Sequence, residues 1–442
     1  MPHFALRLEV EYLPISTLRP WPSNARTHSK KQIQQIANSI QEFGFTNPVL
    51  VDSDKVIVAG HGRVEAAKIL GMLTVPTICL DHLSPQQKRA LILADNRLAL
   101  NAGWDPEILK IELQHLSVAD LEFDLEITGF DSAEIDLILD NTSKPLSVDP
   151  SDEVPPFEST TISRVGDLWH LSGHRIICGD ARDERTCSKL FGTEKARLVF
   201  ADTPYNVRIQ GHAGGLGSIK HREFAMASGE MAPAEYVNFI HLVFANAVQL
   251  SDDGAIHYIC IDWRHIPELL SATKSLYSEF KNLCIWNKSN AGMGSLYRSK
   301  HELVFVFKAG SAPHINNIEL GRSGRYRTNV WDYPGVNTFG RDRLQTLAMH
   351  PTVKPVVLVA DAIKDCSRRK DIVFDPFVGS GTTIIAAERT GRFARGIEID
   401  PVYVDVAIRR WQTLTGGTAI HAATNRTFSD VSRVRVEELD NV

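Results

Sequence analysis

Short apolar runs alternate with amphipathic stretches along most of this 442-residue chain. In residues 1–100 the strand-like runs include NPVLVD and VPTICL, whereas apolar residues recur at helical spacing in SKKQIQQIANSIQEFG. Ser29 stands where it can cap this helix, and Gly44 stands where it can end it. The pattern predicts a small α+β domain over residues 1–100.

The pattern changes after residue 100. Residues 101–145 are acidic and carry apolar residues at helical spacing, which predicts a helical connector. Residues 146–160 are rich in proline and poor in apolar residues, which predicts a linker. Strand-like and helical runs then alternate over residues 161–420, as in an α/β domain. Residues 421–442 are predicted to be a polar, frayed tail.

The composition is that of a soluble globular protein, with 43% hydrophobic and 23% charged residues. No stretch of about 18 apolar residues is present, so no membrane span is predicted. The N-terminal residues lack the charged and apolar regions of a secretory signal. The six cysteines are scattered without a C-x-x-C pair, which favours reduced thiols in a cytoplasmic protein and predicts no metal site.

Charge is unevenly distributed along the chain, whose net charge is −5. Residues 105–158 contain 15 acidic and 2 basic residues, which leaves a net charge of +8 on the remainder. Residues 290–345 contain 8 basic and 4 acidic residues, most densely in GRSGRYRTN, 321–329. A basic loop with an aromatic ring can contact phosphates and bases, although a solvated loop has the same composition. The predicted DNA contacts are Arg322, Arg325 and Arg327.

A carboxylate, a proline and an aromatic ring follow one predicted buried strand. The strand is ARLVF, 196–200, and the residues after it read ADTPY, 201–205. Asp202 thus stands at the carboxyl end of a strand, where open α/β sheets bind ligands. Taken alone, the stretch favours an ordinary turn over a functional site.

A glycine loop between a strand and a helix appears later, in DIVFDPFVGSGTT, 371–383. Gly379 and Gly381 allow the backbone to approach a ligand closely. The next strand ends at Glu398, about 20 residues beyond the loop, where an acid can accept both hydroxyls of a ribose. No lysine follows Gly381 and position 384 is isoleucine, so the loop is neither a phosphate loop nor a dinucleotide fingerprint.

Together these segments resemble the amino DNA methyltransferases that use S-adenosylmethionine, in the group where the catalytic motif precedes the cofactor motif. The resemblance covers about residues 161–416. Its motifs are ADTPY, HPTVKP at 350–355, DPFVGSGTT and GIEIDPVYVDVAIRRW at 396–411, with GDLWHLSGHRIICGDARD upstream. The resemblance implies a Rossmann-like methyltransferase sheet with helices on both faces, and an acceptor base that is flipped out of double-stranded DNA.

The resemblance also implies roles for individual residues. Asp202 and the backbone carbonyl of Thr203 would accept hydrogen bonds from the acceptor amino group, and Tyr205 would stack on the base. Thr203 stands where the family has the first proline, with Pro204 after it, which questions the stiffness of the loop. The implied cofactor contacts are Asp180 for the adenine, Glu398 for the ribose, Thr352 and Lys354 for the carboxylate end, and Asp375, Phe377, Gly379 and Gly381 for the pocket wall.

Residues 47–83 resemble the ParB/sulfiredoxin-like fold, and DNRLALNAGWD, 95–105, fits the same family. The family turn before the helix can meet a nucleotide phosphate, which suits Gly60, Gly62 and Arg63. His61 is either a phosphate contact or a helix-start residue. No cysteine is adjacent to Gly60, which argues against the peroxide-repair chemistry of sulfiredoxin. DNA binding, nucleotide binding and nicking are left open.

The acidic residue at position 202 favours adenine N6 as the acceptor over cytosine N4. An N4-cytosine enzyme, a ParB-like DNA-binding protein with an inactive methyltransferase half, and methylation of RNA or protein amino groups are the alternatives. The expected partners are double-stranded DNA and, at the N-terminal domain, a nucleotide. The sequence leaves open a homodimer and a partner nuclease of a restriction–modification pair.

Overall fold

The computed structural model describes residues 8–118, 123–140, 149–158, 160–206, 226–227, 229–289, 296–318, 321, 325–335 and 353–440. The chain divides into two compact units, Met1–Thr142 and Ser143–Val442. Each unit has its own sheet and its own hydrophobic core. None of the helices in these described ranges has the length and apolar character needed to cross a bilayer.

The first unit contains a four-stranded sheet in the order β1-β4-β2-β3. Strand β4 pairs antiparallel with β1 and parallel with β2. The predicted capping is confirmed, because the side chain of Ser29 accepts a hydrogen bond from the backbone of Gln32 and Gly44 ends the helix. The described strands and helices are β1 Val10–Pro14, α1 Lys30–Phe43, β2 Val49–Val51, β3 Ile57–Ala59, α2 His61–Ile69, β4 Thr74–Cys79, α3 Pro85–Asn101, α4 Pro106–Val118 and α5 Ser132–Asp140.

The second unit is built on a ten-stranded sheet in the order β11-β9-β10-β8-β7-β12-β13-β6-β5-β14. Its strands are β5 Leu168–Leu171, β6 His174–Cys178, β7 Ala196–Asp202, β8 Ser251–Ile261, β9 Glu279–Asn287, β10 His301–Lys308, β11 Val330–Asp332, β12 Ile372–Asp375, β13 Phe393–Glu398 and β14 Ile420–His421. The described helices are α6 Glu184–Phe191, α7 Pro233–Gln249, α8 Ile266–Thr273, α9 Val356–Cys366, α10 Thr382–Thr390, α11 Pro401–Thr415 and α12 Phe428–Asp440.

Helices cover both faces of this sheet, as the sequence predicts. Alternate residues of β7 point to opposite faces, so Leu198 and Phe200 join one buried cluster while Val199 and Ala201 join the other. The first cluster is completed by α9, α10 and α11, and the second by α6, α7 and α8. Both faces of β7 are apolar because both are buried under helices.

The connections of the sheet place a crevice between β7 and β12. These two strands are parallel neighbours, with Leu198 paired to Val373 and Val199 to Phe374. The chain proceeds from β7 to β8 on one side and from β12 to β13 on the other. Such a reversal of strand order opens a ligand crevice at the carboxyl ends of the two strands.

Two segments differ from the sequence prediction. The described part of the predicted linker, residues 149–158, packs on the second unit: Val154 is buried and Arg410 donates to the carbonyl of Ser151 at 2.7 Å. The predicted tail forms α12, because Phe428 and Val431 are spaced to bury one helical face against the core. The sequence predicts a frayed tail because most of its residues are polar, and its few buried apolar residues do not stand out in the sequence.

Candidate catalytic and cofactor site

The catalytic loop begins where β7 ends. Asp202 is the last residue of that strand, and the hydroxyl of Thr203 donates to the backbone carbonyl of Cys260 in β8 at 2.5 Å. The hydroxyl of Tyr236, in α7, donates to the carbonyl of Pro204 at 2.7 Å. The loop is thus fixed to the sheet on one side and to a helix on the other.

Asp202 has one carboxylate oxygen engaged by two side chains. The ammonium nitrogen of Lys354 lies 2.6 Å from Oδ1, and the hydroxyl of Tyr205 donates to the same oxygen at 3.0 Å. No hydrogen bond from a residue within the described ranges reaches Oδ2. Both contacts that the described residues make with this carboxylate are therefore on Oδ1.

Glu302, in β10, is a second carboxylate in this network, and the sequence reasoning missed it. Its Oε2 accepts a hydrogen bond from Lys354 at 2.9 Å and lies 3.1 Å from the hydroxyl of Tyr205, whose single proton is shared between the two carboxylates. Its Oε1 pairs with Lys288, whose ammonium nitrogen lies 4.5 Å from the centre of the Trp286 ring. The available signal was a single acid at the head of the apolar run of β10.

Burial and neighbouring charges shift the pKa values of Asp202 and Glu302 in opposite directions. Burial raises the pKa of Asp202, and the positive charge of Lys354 only partly opposes it. Burial also acts to raise the pKa of Glu302, but Lys354 and Lys288 outweigh it and lower that pKa to about 2. Although burial disfavours a charged lysine, the two carboxylates hold the pKa of Lys354 well above its usual value. The two acids therefore favour the charged form of Lys354.

Lys354 is the residue predicted to contact the carboxylate end of the cofactor. Its side chain is only 4% exposed, and its ammonium is shared between Asp202 and Glu302 because two buried carboxylates converge on it. Thr352, predicted for the same contact, lies outside the described residues.

The glycine loop follows β12 and closes on Asp375. Its carboxylate accepts the backbone N–H of Phe377 at 2.9 Å and the hydroxyl of Thr383 at 2.5 Å. Gly381 has φ +88° and begins α10, and a Cβ there would lie 2.9 Å from that of Ala407. Gly379 has φ +51°, and among the described residues a Cβ there would come within 4 Å of one atom, the backbone oxygen of Phe377 at 3.9 Å. Gly381 is therefore required for packing, whereas Gly379 borders open space.

Glu398 ends β13 beside this loop. One carboxylate oxygen accepts the N–H of Gly379 at 2.9 Å and the other accepts the N–H of Asp400 at 2.8 Å. Burial raises the pKa of Glu398 to about 7, and burial likewise raises the pKa of Asp375 to about 7. Both oxygens of Glu398 retain lone pairs that can accept hydroxyl donors.

Asp180 follows β6, the parallel neighbour of β13, and the N–H of Gly179 donates to the backbone carbonyl of Glu398 at 2.8 Å. Burial acts to raise the pKa of Asp180, but its hydrogen bonds with Arg182 lower it overall. Asp180 and Glu398 thus stand at the carboxyl ends of two neighbouring parallel strands, β6 and β13. The residues present fit S-adenosylmethionine: Glu398 offers acceptors for ribose hydroxyls, Asp180 an acceptor for an amino group, and Gly379 open space beside the loop.

The DNA-contact prediction is corrected for Arg325 and Arg327. Arg325 is buried and pairs with Asp365 at 2.6 Å, and Arg327 pairs with Asp365 at 3.1 Å. Arg327 also bonds to the hydroxyl of Tyr333 and lies 5.0 Å from the centre of the Trp331 ring. Their guanidinium groups are used inside the protein because two acids of α9 face them. Arg322 lies outside the described residues.

In the first unit, Gly60 precedes α2 with φ +101°, and the ring of His61 accepts the backbone N–H of Trp21 at 3.1 Å through Nε2. Burial lowers the pKa of His61, which suits an uncharged acceptor. His61 therefore fastens the start of the helix to the preceding segment. Arg63 folds back toward Gly60, where its Nε would lie 3.0 Å from an added Cβ.

Three family models match the chain in succession. The model described as ParB N-terminal domain matches residues 3–97, and the ParB-methyltransferase HTH domain matches residues 107–165. The model described as DNA methylase matches residues 196–409. The HTH match overlaps residues 107–145 of the segment that the sequence pattern predicts as an acidic helical connector.

Individual relatives are either DNA methyltransferases or a protein with a ParB-like domain. DNA adenine methyltransferase YhdJ of Escherichia coli (strain K12) is 26% identical over 293 residues, covering 60% of this chain and 92% of that protein. Type II methyltransferase M2.MboI of Moraxella bovis is 27% identical over 228 residues, covering 49% of this chain and 81% of that protein. ParB-like nuclease domain-containing protein YnaK of Escherichia coli (strain K12) is 49% identical over 83 residues, covering 19% of this chain and 95% of that protein.

Proposed function

Because the chain belongs to the N6/N4 family of S-adenosylmethionine-dependent DNA methyltransferases and carries an N-terminal ParB-like domain, we propose that it methylates the N6 amino group of adenine in double-stranded DNA. The observation that carries the proposal is the Asp202 carboxylate at the carboxyl end of β7, which the described residues contact through Oδ1 alone. The glycine loop stands at the end of the neighbouring strand β12.

An exocyclic amino nitrogen is a poor nucleophile because its lone pair is delocalised into the ring. Oδ2 of Asp202 and the backbone carbonyl of Thr203 would accept its two N–H groups, which draws the nitrogen toward a tetrahedral geometry. Both acceptors also stabilise the positive charge that develops on the nitrogen during transfer. The raised pKa of Asp202 makes Oδ2 a better acceptor for the departing proton than an exposed carboxylate would be.

S-adenosylmethionine, when bound, supplies an electrophilic methyl group on a sulfonium that is a good leaving group. Glu398 would hold its ribose hydroxyls, and Asp180 its adenine amino group. The chain then contributes position and electrostatics, since the reacting groups are brought together at the ends of adjacent strands. Tyr205 would present its ring to the flipped base while its hydroxyl stays on the two carboxylates.

The acid at position 202 favours adenine over cytosine. So does the name of a relative whose match covers 60% of this chain, DNA adenine methyltransferase YhdJ. The acceptor chemistry itself is the same for the N4 amino group of cytosine. An experiment must therefore read the modified base directly.

The protein is incubated with S-adenosylmethionine and plasmid DNA, and the DNA is digested to nucleosides for mass spectrometry. We expect N6-methyladenine, and the same reaction without added nucleotide triphosphate should proceed. N4-methylcytosine as the sole product would overturn the choice of base. Equal labelling of RNA or of added protein would overturn the choice of DNA. Long-read sequencing of DNA from cells that express the protein would give the target sequence.

A further inference from the structure

One ammonium group serves two carboxylates at the centre of the site. The nitrogen of Lys354 is 2.6 Å from Oδ1 of Asp202 and 2.9 Å from Oε2 of Glu302. The hydroxyl of Tyr205 bridges the same two oxygens, at 3.0 and 3.1 Å. Glu302 thus reproduces, from a different strand, the contacts that Asp202 makes.

We propose that Glu302 is a positioning residue for methyl transfer, which retains Lys354 and Tyr205 on the Oδ1 side of Asp202 and leaves Oδ2 free for the acceptor amino group. The proposal rests on the proposed function, because it concerns the same acceptor atom. Glu302 itself acts through the lysine and the tyrosine.

Charge balance explains why a second carboxylate is needed. With Asp202 as its sole partner, a buried ammonium would form a closed, neutral pair that weakens the carboxylate as an acceptor. Because the ammonium is shared with Glu302, Asp202 is not its sole partner and keeps more of its acceptor strength where the amino nitrogen becomes positive. Lys288 contacts the other oxygen of Glu302, which secures this second carboxylate without adding a contact to Asp202 among the described residues.

The sheet holds Glu302 rigidly in this place. It stands in β10 directly across from Trp286 of β9, whose indole N–H donates to the carbonyl of Tyr333 at 2.9 Å. Lys354 lies 5.8 Å from the centre of the same Trp286 ring. The acid, the lysine and the indole therefore lie close together.

A double-mutant cycle tests the proposal. Single-turnover methylation rates are measured for Glu302→Gln, Lys354→Met and the double variant, with Glu279→Gln as the control. Glu279 lies on β9 and pairs with Lys281 at 2.9 Å, outside the catalytic network. We expect Glu302→Gln to slow transfer about 30-fold in the natural background and less than about 3-fold beside Lys354→Met. Cofactor affinity should stay within about 2-fold of the natural protein.

Thermal unfolding gives a second readout that needs no activity. Lys354→Met leaves two buried acids without their cation, so its midpoint should fall by at least about 5 °C, and adding Glu302→Gln should recover part of that loss. Equal slowing by Glu302→Gln in both backgrounds, or a double variant less stable than Lys354→Met, would overturn the positioning role. If the methylated base proves to be cytosine, the double-mutant cycle is measured with that base. The choice of adenine and the positioning role of Glu302 can therefore fail independently.

Discussion

The hydroxyl of Thr203 donates to the backbone carbonyl of Cys260 across 2.5 Å, which joins the catalytic loop to the neighbouring strand. The family pattern has a proline at this position, and a proline ring would stiffen the loop without a hydrogen bond. In this chain a buried hydrogen bond supplies the restraint. The departure from the family pattern is therefore compatible with an ordered catalytic loop.

The hydroxyl of Thr203 can be removed with little change in side-chain size. Thr203→Val should lower the free energy of unfolding by about 1–3 kcal/mol and slow methyl transfer, because the hydroxyl's hydrogen bond is lost in a buried site. Thr203→Ser retains the hydroxyl and serves as the control. Denaturant unfolding and single-turnover rates measure the two effects. A Val variant that matches the Ser variant in both would contradict the anchoring role.

Arg325 is expected to support the fold. Arg325→Ala should destabilise the protein by about 3–5 kcal/mol, because Asp365 then loses a partner in a buried site. Its folded fraction should bind DNA as tightly as the natural protein. Arg322→Ala, by contrast, should reduce the salt dependence of DNA binding by about one ion if Arg322 contacts a phosphate, as the sequence predicts. Unfolding curves and DNA titrations at several salt concentrations distinguish the two. Weakened DNA binding by folded Arg325→Ala would restore the original prediction.

Glu398 is expected to bind the cofactor. Glu398→Gln should weaken S-adenosylmethionine binding by about 10–100-fold, because a charged acceptor for the ribose hydroxyls becomes a neutral amide. Glu184→Gln, on the exposed start of α6, is the matched control. Isothermal titration calorimetry measures the affinity without turnover. Unchanged affinity in Glu398→Gln would remove the ribose role.

The same residue predicts a pH dependence of stability. Burial raises the pKa of Glu398 from 4.5 to about 7 in the folded protein, so the folded state binds the proton more tightly than the unfolded state. The stability that this carboxyl contributes is fully present below pH 4.5 and is lost as the pH rises through about 7. Glu398→Gln should therefore flatten the unfolding midpoint between about pH 5 and 8 relative to the natural protein. An unchanged slope would show that burial does not govern this group.

Sequence reasoning located the residues whose roles are local. Asp202, Asp375 and Glu398 each end a strand that its own apolar run predicts, and the loop after Asp375 contains its glycines in sequence. Glu302 could not be found this way, because its meeting with Lys354 depends on the order β10-β8-β7 across the sheet. That order is set by long-range packing and not by the residues beside Glu302.

The basic segment shows the opposite error. Its arginines are dense enough to predict an exposed loop, yet Arg325 and Arg327 face Asp361 and Asp365, one helical turn apart on α9. Those acids are more than thirty residues away in the chain. A sequence cluster of like charges therefore does not by itself predict a binding surface, because acidic partners distant in the chain can bury it.

The central claim is that Asp202 accepts the amino group that is methylated. The most direct measurement compares Asp202→Ala with the natural protein for transfer of labelled methyl groups to DNA and, separately, for binding of S-adenosylmethionine. We expect transfer to fall by at least about 10²-fold while the cofactor dissociation constant changes less than about 3-fold. Full transfer by Asp202→Ala would contradict this account of the site.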